Sequence, residues 1–64
     1  MKRRDLLSYL RKRNCYIARE GSKHTVIFNF DTGKQATIPR HIEIESYLIN
    51  KICQQLEIRP PDTK

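Results

Sequence analysis

The chain has 64 residues, with 13 lysines and arginines against 7 aspartates and glutamates, a formal net charge of +6 and a pI of about 9.8. This length allows one domain, and a domain of this size buries only about 60% of the surface that its unfolded chain exposes, which argues against a deep, enclosed substrate pocket. The basic excess favours a polyanionic partner, nucleic acid first and an acidic protein second, but it does not specify a fold.

The first element in chain order is predicted to be a helix over residues 3–12. Leu6, Leu7 and Leu10 recur at helical spacing and form one apolar stripe. Asn14 follows, and asparagine tolerates the left-handed backbone conformation that often ends a helix. Seven of the 13 basic residues lie within residues 2–19. This basic run is either a solvated helix face or a surface that contacts phosphate.

Three short strands are predicted next, over residues 15–19, 23–30 and 34–39. The middle segment is rich in β-branched and aromatic residues and carries the strongest strand signal in the chain. Residues 20–22 are predicted to form the first turn, in which Gly21 is free to take a positive φ, and the Asp-Thr-Gly sequence of residues 31–33 is expected to form the second. Connections this short imply an antiparallel meander. The alternation of side chains along the middle strand does not decide which of its two faces is buried, because the odd-numbered and the even-numbered positions both contain apolar residues.

A second helix is predicted from about Ser46, as its N-cap, and the Arg-Pro-Pro-Asp sequence of residues 59–62 is predicted to end it. Its apolar face is predicted to comprise Leu48, Ile49, Ile52, Cys53 and Leu56. Before it, Ile42 and Ile44 either extend the sheet or pack against the entry to this helix.

The order α-β-β-β-α predicts an α+β fold, with a three-stranded antiparallel sheet and both helices on one face so that both apolar stripes are buried. This arrangement resembles double-stranded-RNA-binding domains, although a fold alone does not settle a function. We expect a single domain over residues 1–58 and a C-terminal tail over residues 59–64.

The sequence favours a cytoplasmic protein without a membrane association. No apolar run approaches the roughly 20 residues that a membrane span needs, and the basic residues 2–4 are not followed by the apolar core of a signal peptide. Cys15 and Cys53 lack the close pairing of zinc or redox motifs and lie among apolar residues. We expect two buried thiols, with a disulfide between them left open.

His24 is the candidate catalytic residue, because histidine exchanges protons near neutral pH. RNA cleavage without a metal needs a base for the 2′-hydroxyl, an acid for the departing 5′-oxygen and cations for the phosphate. Lys23, Arg19, Lys34 and Arg40 are the candidate RNA-binding cations. On residue chemistry alone, an ordinary histidine at a strand end is the more common explanation for such a position.

His41 is a second candidate, either as an RNA contact or as a second proton-transfer group. A role as a cap or hydrogen-bonding residue at the entry to the final helix is favoured, because helix entries have unsatisfied backbone donors. Two histidines do not form a metal site by themselves, since zinc usually has three or four protein ligands, and no metal or small-molecule cofactor is expected. Tyr9, Tyr16 and Tyr47 either stack on RNA bases or bury their rings.

Four segments in this order and spacing are similar to the HicA family of toxins. They are residues 2–7 (Lys-Arg-Arg-Asp-Leu-Leu), 21–25 (Gly-Ser-Lys-His-Thr), 38–41 (Ile-Pro-Arg-His) and 48–56 with Ile58 close behind. The resemblance extends from about residue 2 to residue 58 without a large gap. No single motif is decisive, and the specificity comes from their order in a chain of this length.

The resemblance implies the toxin of a type II toxin–antitoxin system with a double-stranded-RNA-binding-like fold. It implies an endoribonuclease that cleaves mRNA, with His24 as its essential residue and a cognate HicB antitoxin that blocks the active site. The family commonly has glycine where this chain has Asn14, and asparagine adopts the same left-handed geometry. Two other functions stay open on the residues alone. One is a non-catalytic small basic RNA-binding module, and the other is a protein-interaction module with an acidic partner.

Overall fold

The computed structural model describes residues 1–61 and contains two helices and three strands. In chain order they are α1 (Arg3–Arg11), β1 (Cys15–Glu20), β2 (His24–Asn29), β3 (Gln35–Pro39) and α2 (Ser46–Leu56). The predicted α-β-β-β-α order and the α+β class are confirmed. Within the described residues, neither helix is long and apolar enough to cross a membrane.

The strands form an antiparallel meander in the order β1-β2-β3. Their register shifts in β1 between Ile17 and Arg19, so that Arg19 pairs with Val26 while Tyr16 pairs with Phe28. Such a bulge adds one residue to a strand and re-aims the side chains that follow. Arg19 therefore lies on the same face of the sheet as Tyr16, although regular alternation would place residues three positions apart on opposite faces.

The two faces of the sheet have different environments, because both helices cover one face and leave the other open. Along β2, Thr25 and Ile27 are 0% exposed and Asn29 is 1% exposed. On the alternate positions, His24 is exposed, and Val26 and Phe28 are half-buried. Successive strand residues point to opposite faces. The alternation therefore places the odd-numbered residues of β2 under the helices and His24 on the open face.

One hydrophobic core fills the space between the sheet and the helices. The predicted stripe of α1 is confirmed, with Leu6, Leu7 and Leu10 all buried. On α2, Leu48 is half-buried and the other predicted apolar positions are fully buried. The most buried core side chains are Leu6, Leu10, Cys15, Ile27, Ile38, Ile44, Ile49, Ile52, Cys53 and Leu56.

The segment between β3 and α2 packs against the N-terminus and does not extend the sheet. The backbone N–H of Arg3 donates to the carbonyl of Ile42 at 2.7 Å, and that of Ile44 donates to the carbonyl of Met1 at 2.8 Å. Ile44 is 2% exposed and Ile42 is 78% exposed. Of the two alternatives for this segment, Ile44 thus packs into the core at the entry to α2, and Ile42 faces solvent.

The ends of the elements confirm one local expectation and correct another. Asn14 has a φ of 63°, which confirms the left-handed residue after α1, and Gly33 has a φ of 79° in the turn between β2 and β3. The predicted N-cap at Ser46 is wrong, because Ser46 is the first helical residue and Glu45 precedes it with an extended backbone and no side-chain cap bond. The position was misplaced by one residue, since periodicity locates a helix end only to within a residue or two.

The predicted C-terminal tail begins at Arg59, whose backbone contacts α1. The hydroxyl of Tyr9 donates to the carbonyl of Arg59 at 2.5 Å, and the guanidinium of Arg13 lies 4.2 Å from the centroid of the Tyr9 ring. Residues 62–64 of the predicted tail lie outside the described residues. The division into a domain and a tail stays a prediction.

Cys15 and Cys53 are free thiols buried in the core. Burial raises the pKa of both, that of Cys53 to about 11. Because the thiolate is the reactive form, we expect both thiols of the folded protein to react with Ellman's reagent at mildly alkaline pH only as fast as the chain opens. The measurement is the absorbance time course in native buffer and in denaturant. Rapid reaction of either thiol in native buffer would contradict its burial.

A candidate catalytic site on the open face of the sheet

His24 is the first residue of β2, and its imidazole is exposed on the open face. Its backbone pairs with Pro39 at the far end of β3. The odd-numbered positions of β2 anchor the strand in the core, so His24 is held on a packed element while its ring stays accessible. An exposed ring on a fixed strand suits a reaction with a polymer that cannot enter a closed pocket.

A shallow depression of about 540 Å³ surrounds His24 at this end of the sheet. All three strands and the turn between β1 and β2 contribute to it. Its lining comprises Arg19, Gly21, Ser22, Lys23, His24, Val26 and Thr37. Two of the predicted RNA-binding cations thus lie beside the predicted catalytic histidine.

Arg19 and Lys23 reach the depression for different structural reasons. The bulge in β1 turns Arg19 onto the open face, opposite Val26. Lys23 was predicted to begin the middle strand, where alternation would point it away from His24. The strand begins one residue later, at His24, and Lys23 lies in the preceding bend. Because Lys23 lies outside the strand, the alternation of strand side chains does not point it away from His24, and it lines the same depression.

The turn before β2 holds the backbone of His24 through Gly21. The N–H of Gly21 donates to the carbonyl of His24 at 2.8 Å. A Cβ placed on Gly21 would lie 2.9 Å from that same oxygen, closer than side chains tolerate. Gly21 does not use the positive φ that glycine allows, since among the described residues Gly33 is the glycine with a positive φ. Glycine is required here because two backbone segments approach each other closely.

Substituting Gly21→Ala is expected to displace the turn and lower the free energy of unfolding by about 1–3 kcal/mol, the usual effect of forcing extra atoms into a packed contact. The rate of any reaction at His24 should fall as well, because its backbone carbonyl moves. Denaturant unfolding and activity of the same preparation measure the two effects. Ser22→Ala, in the same turn, is the matched control for stability. Equal stability of the two variants would contradict the close approach.

Arg40 lies behind the turn and makes two bonds to it. Its guanidinium donates to the carbonyl of Gly21 at 3.0 Å and to Oε1 of Glu20 at 3.2 Å. Arg40 thus fastens the end of β3 to the turn that precedes His24. Its contacts in the structure support the site from outside the depression, and its predicted role as an RNA contact stays a prediction.

His41 lies in a second basic depression, of about 410 Å³, and does not line the His24 depression. Its lining comprises Lys2, Arg3, Arg4, Arg40, His41 and Ile42. His41 is exposed, and the N-cap of α2 is Glu45. His41 is therefore not the helix cap that was the favoured interpretation, and its role in RNA binding stays a prediction.

Lys34 lies at the opposite end of the sheet from His24. It precedes β3, and His24 pairs with the last residue of that strand, so about 16 Å of strand separates the two positions. The Lys34 ammonium lies 4.0 Å from a carboxylate oxygen of Glu57. The structure does not bring Lys34 to the His24 depression.

A polar network behind the site was not predicted from the sequence. The buried hydroxyl of Thr25 donates to Oε1 of Glu20 at 2.7 Å and accepts from the guanidinium of Arg3 at 2.5 Å. The same Glu20 oxygen also accepts from Arg40. The network joins the start of α1, the end of β1 and the residue after β3 directly behind His24. Its members are far apart in sequence and follow no motif, so only their spatial arrangement reveals them.

Residues 3–58 match a protein-family model described as the HicA toxin of bacterial toxin–antitoxin systems. The match covers both helices, all three strands and every residue of the His24 depression. No curated protein and no solved structure matches the chain significantly.

Proposed function

We propose that this chain, which belongs to the HicA toxin family of bacterial toxin–antitoxin systems, is an endoribonuclease that cleaves mRNA with His24 as its catalytic residue. Membership makes it the toxin of a toxin–antitoxin pair and implies a cognate antitoxin. The observation that carries the nuclease proposal is the exposed imidazole of His24 in one depression with two cationic side chains, Arg19 and Lys23.

In the proposed reaction, the 2′-hydroxyl oxygen of one nucleotide attacks the adjacent phosphorus while the bond from phosphorus to the 5′-oxygen breaks. The attacking hydroxyl loses a proton and the departing oxygen gains one, so an imidazole beside the phosphate serves either transfer. Arg19 and Lys23 offset the negative charge that develops on the phosphate oxygens. The network behind Thr25 keeps the strand that carries His24 in place.

This chemistry predicts RNA fragments that end in a 2′,3′-cyclic phosphate and begin with a 5′-hydroxyl, formed equally well in EDTA. Ligation and phosphatase treatment of the fragments, followed by gel electrophoresis, identify the ends. A preparation of the His24→Ala protein purified in parallel controls for contaminating ribonucleases. A strict requirement for magnesium, or fragments with 5′-phosphates, would contradict the metal-independent mechanism.

We further propose that a HicB antitoxin inhibits the protein in the cytoplasm by covering the His24 depression. A standard interface takes about 800 Å² from each partner, and the described surface of this protein totals 4590 Å². A standard interface therefore takes about a sixth of this surface, and we place the His24 depression within that share. Co-expression of the neighbouring reading frame should relieve growth inhibition by the wild-type chain, and continued toxicity would contradict the pairing.

A further inference from the structure

Three aromatic side chains form an exposed cluster on the open face of the sheet, at the end away from His24. Tyr16 and Phe28 pair across β1 and β2, and Phe30 packs edge-on against both. The ring centroid of Phe30 lies 4.9 Å from that of Phe28 and 5.8 Å from that of Tyr16. Tyr16 is 43% exposed and Phe30 is 62% exposed. We call Tyr16, Phe28 and Phe30 the aromatic cluster.

The aromatic cluster is not explained by the hydrophobic core. The core lies on the other face of the sheet, between the strands and the helices. Large contiguous apolar surfaces on soluble domains usually mark a binding site, whereas single exposed apolar residues need no explanation. In the aromatic cluster the ring of Phe30 contacts the other two rings, and Phe30 and Tyr16 are both exposed. The cluster therefore indicates a ligand with flat apolar faces or an apolar partner.

The aromatic cluster is continuous with the His24 depression. Phe28, Val26 and His24 occupy alternate positions of β2 on the same face, so the backbone positions of Phe28 and His24 lie about 13 Å apart along the strand. Arg19 lies beside Val26 between them, and Lys23 lies at the His24 end. The open face thus presents rings at one end, and cations with a histidine at the other.

Resting on the proposed nuclease function, we propose that this face binds single-stranded RNA, with unpaired bases stacked on the aromatic cluster and the backbone directed toward His24. Stacking needs the flat faces of bases, which a duplex hides between neighbouring base pairs. The cations then hold the phosphates that follow the stacked bases. The aromatic cluster thereby selects single-stranded RNA and sets which phosphate reaches His24. An apolar protein segment would use the rings but leave the adjacent cations without a role.

The test measures RNA binding by the His24→Ala protein, which keeps the substrate intact. Fluorescence anisotropy compares a labelled single-stranded oligoribonucleotide with the same strand annealed to its complement. We expect tighter binding of the single strand. Tyr16→Ala and Phe30→Ala, each added to His24→Ala, should weaken single-strand binding about tenfold and leave duplex binding unchanged. Tyr47→Ala is the matched control, because Tyr47 is an exposed tyrosine (68%) on α2.

Tyr16→Leu and Phe30→Leu separate ring stacking from folding, since leucine keeps apolar contact without a flat face. Circular dichroism of each variant confirms a native fold, and the leucine variants should bind single strands as weakly as the alanine variants. Equal binding of duplex and single strand, unchanged affinity in the ring variants, or no RNA binding at all would overturn the inference. Loss of antitoxin binding with RNA affinity intact would assign the cluster to the protein partner and overturn it as well.

Cleavage by the wild-type protein is assayed separately, so that the two proposals can fail independently. Ring-dependent binding of single strands without cleavage would contradict the nuclease function and support the stacking surface. Cleavage that is equally fast in the wild-type, Tyr16→Leu and Phe30→Leu proteins at limiting RNA would support the nuclease function and overturn the stacking surface.

Discussion

His24→Ala is expected to lower the rate of RNA cleavage by about two to four orders of magnitude, the usual contribution of a side chain that transfers protons. The fold should be unaffected, because the imidazole is exposed on the open face and such substitutions change the free energy of unfolding by no more than about 0.5 kcal/mol. Initial rates on a labelled RNA and thermal denaturation of the same samples measure the two quantities.

His41→Ala is the informative comparison, because His41 lies in the other basic depression. A large loss of cleavage rate confined to His24→Ala supports His24 as the catalytic histidine. An equal loss of rate in both variants would contradict the proposal that His24 is the sole catalytic histidine.

Growth inhibition distinguishes the proposed function from a non-catalytic RNA-binding module. Such a module would keep most of its toxicity when His24 is replaced. A fully toxic His24→Ala protein that still binds RNA would therefore favour the RNA-binding module.

Asn29→Ala is expected to lower the free energy of unfolding by on the order of 3 kcal/mol, because it leaves several polar groups without partners. Asn29 is 1% exposed, and its amide donates to the carbonyl of Leu56 at 2.7 Å. Its side-chain oxygen accepts the backbone N–H groups of Asp31, at 2.8 Å, and Thr32, at 3.4 Å. One side chain thus joins the end of β2, the following turn and the end of α2.

Denaturant titration followed by circular dichroism measures this loss. Asn50→Ala is the matched control, because Asn50 is an exposed asparagine within α2. For a domain of this size the Asn29 effect is a large share of the total stability, so the variant should also melt at a clearly lower temperature. An unfolding free energy within about 0.5 kcal/mol of that of Asn50→Ala would contradict the role of the buried amide.

The sequence alone was sufficient to predict the order of elements, because each element carries a local pattern. The stripe of Leu6, Leu7 and Leu10 has the period of a helix, and residues 23–30 have the composition of a strand. Short connections left the antiparallel meander as the simplest topology. The family resemblance, now supported by the match over residues 3–58, added the choice of His24 among the polar residues. These conclusions depend on neighbours within a few positions or on ordered motifs, which a sequence displays directly.

The tertiary structure decided which residues share a surface. Along β2, both the odd-numbered and the even-numbered positions contain apolar residues, so the sequence does not show which face of the strand is buried. The helices pack over Ile27, and His24 therefore faces solvent. The bulge in β1 brings Arg19 to that face, while Lys34 stays at the far end of the sheet.

The bonds of Asn29 to the end of α2 and of Thr25 to α1 join positions more than 20 residues apart. Local periodicity contains no information on such contacts, because they depend on how complete elements pack together. The sequence therefore determined the elements and nominated the histidine. Packing determined the face, the cations beside that histidine and the network behind it.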